Sequence, residues 1–145
     1  MKYFIIFTSF ILDYFFNRNI NQNSLFFPLF TLLSLVITYS YKTSFLIGFI
    51  YDIVFTNTLF FNSFIFLVIM YIVKKLYMSF SYNYLTRIII GIIVIILYRI
   101  ICYLLFTLFM IVPFDILSLL KGIYSSLIVN FVYLLIFSSF IKTDK

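Results

Sequence analysis

Long apolar runs separated by short polar breaks dominate the pattern of the chain. Six apolar segments lie at residues 3–16, 25–41, 44–56, 59–73, 85–112 and 116–141. A membrane-spanning helix needs roughly 20 apolar residues, within a range of about 17–25. The pattern therefore predicts an all-α protein with six transmembrane helices in a single domain. The segments 3–16 and 44–56 are short, so we expect flanking polar residues, local thinning of the bilayer or neighbouring helices to complete them.

Polar residues mark the breaks between these segments. The string 17–24 is strongly polar, and Pro28 then falls in the first turn of the second segment, where proline is tolerated. Lys74 and Lys75 end the fourth segment, and residues 112–115 separate the fifth from the sixth. We therefore expect short loops throughout.

The stretch 44–73 allows two interpretations. One helix would rise about 45 Å, which is too long for an upright span, whereas a turn at 56–58 would give two shorter helices. The two-helix interpretation places most basic residues on one side of the membrane, opposite Arg18, as the positive-inside rule requires. These residues are Lys2, Lys42, Lys74, Lys75, Arg87, Lys142 and Lys145. We therefore expect six spans with both termini in the cytoplasm.

The composition agrees with a membrane protein. Apolar residues make up 66 % and charged residues 10 % of the chain, and the mean hydropathy is +1.23. Globular domains carry about 25 % charged residues, so this chain has too few polar residues to cover a water-facing surface. The net charge of +6 does not indicate nucleic-acid binding, because the basic residues are spread along the chain rather than clustered.

Several kinds of chemistry are excluded by residues that the sequence lacks. It contains no His and no Glu, and Cys102 is its one cysteine. A zinc site, a di-iron site or a Cys–His pair therefore has no ligands, and we expect neither a cofactor nor an enzymatic activity. Cys102 lies in an apolar run and is interpreted as a small buried hydrophobic residue.

Charged residues at membrane depth are costly and usually face other helices. Helix rise from the nearest basic residues places Asp52 and Arg99 near the middle of the membrane. They could form a buried ion pair, or Arg99 could reach the interface, backbone carbonyls or tyrosine hydroxyls. Such a lone pair is more often a packing device than an ion relay. Asp13 and Lys121 are placed toward the outer ends of their spans, where pairing and solvation are equally good explanations.

Small and amide residues complete the set of intramembrane candidates. Gly48 lies four residues before Asp52, so both share a helix face that a neighbouring helix can approach closely. Asn62 and Asn130 have apolar neighbours and suit interhelical hydrogen bonds. We expect no internal repeat, because neither the glycine positions nor the loop lengths match between the two halves.

The middle of the chain resembles the rod shape-determining protein MreD family. From Gly48 the sequence GFIYDIVFTNTLFFNSFIFLVIMYIVKKL is similar to the family's Gly-Phe/Leu-x-x-Asp element, polar turn, Leu-Gly-x-Asn and basic closing residues. Gly48, Asp52, Thr58-Leu59 and Asn62 carry this order and spacing. Near the end, SSLIVN at 125–130 is similar to the family's Pro-Thr-x-x-x-Asn.

The chain departs from the family pattern at three points. Phe60 or Phe61 stands where the family commonly has Gly, and Ser125 replaces the usual Pro. Arg99 occupies a region where the family more often has an acidic residue, so no family role is carried over to it.

The resemblance implies a non-enzymatic component of the cell-wall elongation machinery. Such a protein is a six-helix bundle in the bacterial inner membrane, similar to the substrate-binding subunits of energy-coupling-factor transporters. Its partners would be an MreC-like scaffold with a single span, the RodA polymerase with its transpeptidase, and membrane lipid. The alternative is a genuine vitamin-binding transporter subunit. That family docks through Ala-x-x-x-Ala in the first helix, where this chain has Phe4, Thr8 and Leu12.

Overall fold

The computed structural model describes residues 1–19, 28–56, 58–111 and 113–141, and within these ranges the chain is all helical. The helices are α1 (Lys2–Asn19), α2 (Phe30–Thr38), α3 (Ser44–Tyr51), α4 (Phe61–Ser79), α5 (Tyr84–Leu108) and α6 (Ile116–Phe140). A 3-10 turn (Tyr41–Thr43) precedes α3, and a π-helical segment (Asp52–Thr56) continues it. The stretch 44–73 therefore holds two helices rather than one.

Three of these helices, α4, α5 and α6, are long and apolar enough to cross a membrane. They indicate a membrane protein. The other three do not meet that description, because α2 and α3 have 9 and 8 residues and α1 carries Lys2, Asp13 and Arg18. Of the six expected spans, some of which were predicted to be short, three helices in the described part of the chain are therefore long and apolar enough to cross a membrane.

Left-handed backbone conformations end two helices earlier than predicted. The second segment, expected to reach residue 41, stops at Thr38 because Tyr39 adopts φ 52°. Tyr39 N then donates to Val36 O at 3.2 Å and Ser40 N to Leu35 O at 3.0 Å, which is the Schellman arrangement that closes a helix. The start of this segment, residues 25–27, lies outside the described residues.

The fifth segment ends in the same way. It was expected to continue to residue 112, which is outside the described residues, but α5 stops at Leu108 and Met110 adopts φ 56°. Met110 N donates to Thr107 O and Ile111 N to Phe106 O. Glycine usually occupies this position of the motif, so its absence hid both helix ends from sequence reasoning.

Two helices extend beyond their predicted ends, because the polar residues expected to end them are part of the helix. The first helix continues beyond 3–16 to Asn19, and α4 continues through Lys74 and Lys75 to Ser79. Both lysines are exposed, so the helix carries them without burying charge. At its start α4 begins at Phe61 rather than 59, because Phe60 is left-handed with φ 65°. The sixth helix agrees with the prediction to within one residue.

Helix α2 is the centre of the structure. It packs against α1, α4, α5 and α6, while α3 packs mainly on α4 and α6 on α5. All of its residues are buried. The sequence FTLLSLVIT permits this, because its Ser34 and Thr38 hydroxyls donate to carbonyls of the same helix, Thr31 O at 2.6 Å and Ser34 O at 2.7 Å. Because the polar face of Thr31, Ser34 and Thr38 is hydrogen-bonded and the other faces are apolar, the whole helix can be buried.

Outer helix faces are strongly apolar. Side chains such as Phe7, Leu85, Leu108 and Leu117 are each more than 60 % exposed. Soluble monomers rarely expose continuous apolar surfaces of this kind. The exposed faces therefore suit contact with lipid or with apolar helices of a partner.

The lysines expected on one side of the membrane meet at one end of the molecule. Lys2, Lys42 and Lys74 line a single pocket, although they come from α1, the turn before α3, and α4. Three of the basic residues that the positive-inside rule assigns to one side of the membrane thus lie together at one end of the structure.

Truncation of a side chain in α2 tests its central position. Leu35 is 0 % exposed and Leu85, on α5, is 70 % exposed. Leu35→Ala should lower the free energy of unfolding in mixed micelles by about 2 kcal/mol, because a cavity forms that neighbours fill only partly. Leu85→Ala is the matched control and should change it by less than about 0.5 kcal/mol. Equal effects of the two substitutions would contradict a buried α2.

Candidate functional site

Asp52 is a fully buried carboxylate that caps the N-terminus of a neighbouring helix. Its Oδ1 accepts hydrogen bonds from Asn62 N and Asn62 Nδ2, both at 2.9 Å. Its Oδ2 accepts from Ser63 N at 3.1 Å and from Ser63 Oγ at 3.4 Å. The first N–H groups of a helix have no partner within it, and the positive end of the helix dipole favours an anion. The carboxylate of Asp52, at the end of α3, therefore accepts hydrogen bonds from amides at the start of α4 that have no acceptor within their own helix.

Gly48 makes this capping possible by letting α3 and α4 touch through their backbones. A Cβ added at Gly48 would lie 2.7 Å from Ser63 Cα and 2.9 Å from Asn62 O. Only a residue without a side chain fits there. Asp52, one turn later, is thereby brought within hydrogen-bond distance of the α4 amides, and Thr56 Oγ1 also donates to it at 3.1 Å.

Asn62 joins this cluster to α5. While its amide nitrogens donate to Asp52, its Oδ1 accepts a hydrogen bond of 2.7 Å from the Tyr98 hydroxyl. Asn62 and Tyr98 are both buried. The predicted residues Gly48, Asp52 and Asn62 thus form one site, and Tyr98 is a member that sequence reasoning missed.

Asp13 makes the same arrangement with α2. Its Oδ1 accepts from Phe30 N at 3.1 Å, and its Oδ2 accepts from Thr31 N at 2.7 Å and from the Thr31 hydroxyl. Asp13 is 0 % exposed, whereas Lys121 is exposed. Neither pairing with Lys121 nor interfacial solvation accounts for Asp13, and both expectations are wrong.

The two aspartates accept backbone amides in the same pattern, although Asp52 Oδ1 also accepts hydrogen bonds from the side chains of Asn62, Thr56 and Thr58. In each case one oxygen accepts an amide N–H, and the other accepts the next amide N–H together with the hydroxyl of that same residue, Thr31 or Ser63. The five residues that end at each aspartate, SFILD at Asp13 and GFIYD at Asp52, have Phe, Ile and Asp at the same three positions. The two helical hairpins therefore share a local capping arrangement, while the expectation of no repeat between the two halves of the chain stays a prediction.

Arg99 and Asn130 belong to a second cluster. Arg99 Nε donates to Ser126 Oγ at 2.6 Å, and Asn130 Nδ2 donates to Ser126 O at 2.7 Å. Asn130 Oδ1 accepts from Leu29 N at 2.8 Å, so α6 contributes another cap to the start of α2. Asp52 and Arg99 thus have separate hydrogen-bond partners, in the α3–α4 hairpin and on α6 respectively.

Arg87 is a further residue whose position the sequence did not indicate. It was expected on the same side of the membrane as the lysines, within the segment 85–112, and it is only 1 % exposed. Both of its terminal nitrogens donate to Ile141 O at 3.1 Å, and its guanidinium lies 5.1 Å from the centre of the Tyr82 ring. Arg87 therefore fastens the end of α6 to the start of α5.

The chemistry of these clusters is that of helix capping. Both oxygens of Asp52 and of Asp13 are occupied by donors of the protein itself. In the ranges that the structure describes, no group of three His, Cys, Asp or Glu residues could hold a metal ion. The geometry thus favours a structural role that sets the positions of α2 and α4. No protein-family model, curated protein or solved structure matches the chain.

Addition of a methyl group tests the contact at Gly48. Gly48→Ala should destabilise the protein by about 2 kcal/mol or more, because the new Cβ meets backbone atoms that have no rotamer to change. Gly122→Ala is the matched control, since a Cβ there meets nothing within 4 Å. It should leave stability unchanged or raise it by up to about 1 kcal/mol. The measurement is thermal unfolding of both purified variants, and a harmless Gly48→Ala would disprove the backbone contact.

Removal of one carboxylate oxygen tests the capping at Asp52. Asp52→Asn places an amide –NH₂ against N–H donors whichever oxygen it replaces, so we expect a loss of about 2–3 kcal/mol in unfolding free energy. Asp115 caps α6 at an exposed position by accepting from Leu117 N at 3.0 Å. Asp115→Asn should cost less than about 0.5 kcal/mol, because asparagine caps exposed helices as well as aspartate does. Equal losses would count against a special role for the buried carboxylate.

Proposed function

We propose that this protein is a non-enzymatic membrane component of the bacterial cell-wall elongation machinery, of the MreD type. In this role it binds an MreC-like scaffold with a single membrane span and helps to couple it to the RodA polymerase and its transpeptidase. The protein acts through the shape of its helix bundle rather than by converting a substrate.

The observation that carries this proposal is the meeting of Gly48, Asp52 and Asn62 in one buried cluster. These are the positions on which the resemblance to the MreD family rests, and each has a definite task. Gly48 allows the close approach, Asp52 supplies the acceptors, and Asn62 supplies donors and the link to Tyr98. A motif with these tasks suits a scaffold, because it fixes helix positions without offering a reactive group.

The surface supports the same role. Exposed apolar residues cover the outer faces of α4, α5 and α6, where a partner helix can pack. In this proposal α1, α2 and α3 also lie within the bilayer, which gives six membrane-embedded helices with both termini in the cytoplasm. The buried, capped ends of α2 fit this placement, because backbone that is not helical is tolerated at membrane depth only where protein covers it.

Depletion of the protein tests the proposal in the bacterium that encodes it. Rod-shaped cells should become round or lyse, and a tagged copy should co-purify with the single-span scaffold. Wild type and the Gly122→Ala variant should restore the rod shape, whereas Gly48→Ala should not, because the α3–α4 contact is lost. Normal shape after depletion, or a vitamin that co-purifies with the protein, would favour the transporter subunit instead.

A further inference from the structure

An apolar groove separates α1 from α3 on the outer surface. The two helices pack against different partners, α1 on α2 and α3 on α4, and leave a space of about 440 Å³ between them. Its walls are Ile6, Phe7 and Phe10 of α1 and Leu46, Ile47 and Ile50 of α3. At one end the groove reaches Phe10, whose ring packs on Phe55 at 5.3 Å. From this end it extends about 10 Å along the helices to Tyr3.

A basic pocket of about 380 Å³ lies at the other end of the groove. Lys2, Lys42 and Lys74 line it together with hydroxyl groups of Tyr39 and Ser40. None of the described residues that line this pocket is acidic. Three lysines that line one pocket without a carboxylate beside them suit an anion with several acceptor oxygens.

The pocket and the groove form one continuous surface, because Tyr3 and Thr43 line both. The surface therefore changes from cationic to wholly apolar over the length of two helical turns. An inorganic anion would use the pocket and leave the groove empty. A neutral lipid would use the groove and leave the lysines unpaired.

We propose that this surface binds an anionic phospholipid, with the phosphate between the three lysines and part of one acyl chain between α1 and α3. This site goes beyond the proposed function and does not depend on it. Charge complementarity selects the lipid, since basic residues beside a membrane attract anionic headgroups. The lipid also covers apolar side chains that no helix in the described part of the chain covers, and so it links the α1–α2 hairpin to the α3–α4 hairpin.

Neighbouring lysines provide matched controls for this site. Lys74 lines the pocket, and its ammonium group lies 5.4 Å from the ring centre of Tyr41, another lining residue. The next residue, Lys75, does not line the pocket, and its ammonium group lies 4.9 Å from the ring centre of Tyr71. Lys121 is exposed on α6. Removal of Lys75 and Lys121 therefore changes the net charge as much as removal of Lys42 and Lys74, but leaves the pocket intact.

The experiment is a native mass spectrometry titration of the purified full chain in detergent. The probes are phosphatidylglycerol, phosphatidylcholine with the same acyl chains, and glycerol 3-phosphate. The wild type should retain one phosphatidylglycerol about tenfold more tightly than phosphatidylcholine. The Lys42→Gln/Lys74→Gln variant should lose about tenfold or more of this affinity. Lys75→Gln/Lys121→Gln should keep it, and Lys42→Arg/Lys74→Arg, which preserves the charge, should also keep it.

Filling the groove tests the place of the acyl chain. Leu46→Trp should weaken phosphatidylglycerol binding at least fivefold, whereas Leu85→Trp, on an exposed face of α5, should not. Equal affinity for both lipids, or equal losses in the two glutamine variants, would overturn the proposal. Binding of glycerol 3-phosphate as tightly as phosphatidylglycerol would also overturn it, since the groove would then contribute nothing.

Discussion

The first turns of α2 and α4 contain buried residues, Phe30 and Thr31 in α2 and Asn62 and Ser63 in α4, whose free N–H groups have no water to bind. An unpaired polar group in an apolar medium costs several kcal/mol, and a lone carboxylate costs more. Asp13 and Asp52 resolve both problems together, because each carboxylate accepts the N–H groups that each helix start leaves free. The positions of α1 relative to α2, and of α3 relative to α4, depend on these contacts.

Helix α2 shows how far this constraint reaches. Nine residues are too few to cross a bilayer, yet the helix is central because both of its ends are satisfied by protein. Asp13 and Asn130 serve its N-terminus. Its last carbonyl oxygens accept hydrogen bonds from the amides of the turn after Thr38 and from the hydroxyl groups of Tyr77 and Tyr82. Longer helices can then pack around it, with their remaining faces open to lipid or to a partner.

Hydrophobic pattern predicted where each helix lies, because apolar runs of sufficient length leave few alternatives. Helix ends were predicted less well, since Tyr39, Phe60 and Met110 adopt a left-handed conformation that no glycine announces. Gly48, Asp52 and Asn62 could be grouped by spacing and by resemblance. Sequence reasoning left the partner of Arg99 open, because charge and depth do not fix the direction of a side chain, and Ser126 was not among the partners considered. The donors to Asp52 include the backbone amides of Asn62 and Ser63. Every residue except proline has such an amide, so no sequence pattern marks these two as donors.

The repeated aspartate contacts bear on how the chain enters a membrane during synthesis. Among the described residues, the donors to Asp13 come from α2, and those to Asp52 come from α4, the turn before it and the π-helical segment that continues α3. Each carboxylate is thus bound within its own pair of helices. Each pair can therefore leave the translocation machinery as a unit with its negative charge already surrounded by donors. Tyr98 of α5 and Asn130 of α6 contact these hairpins at Asn62 and at Leu29 N. Neither α5 nor α6 is therefore needed to surround the two carboxylates with donors.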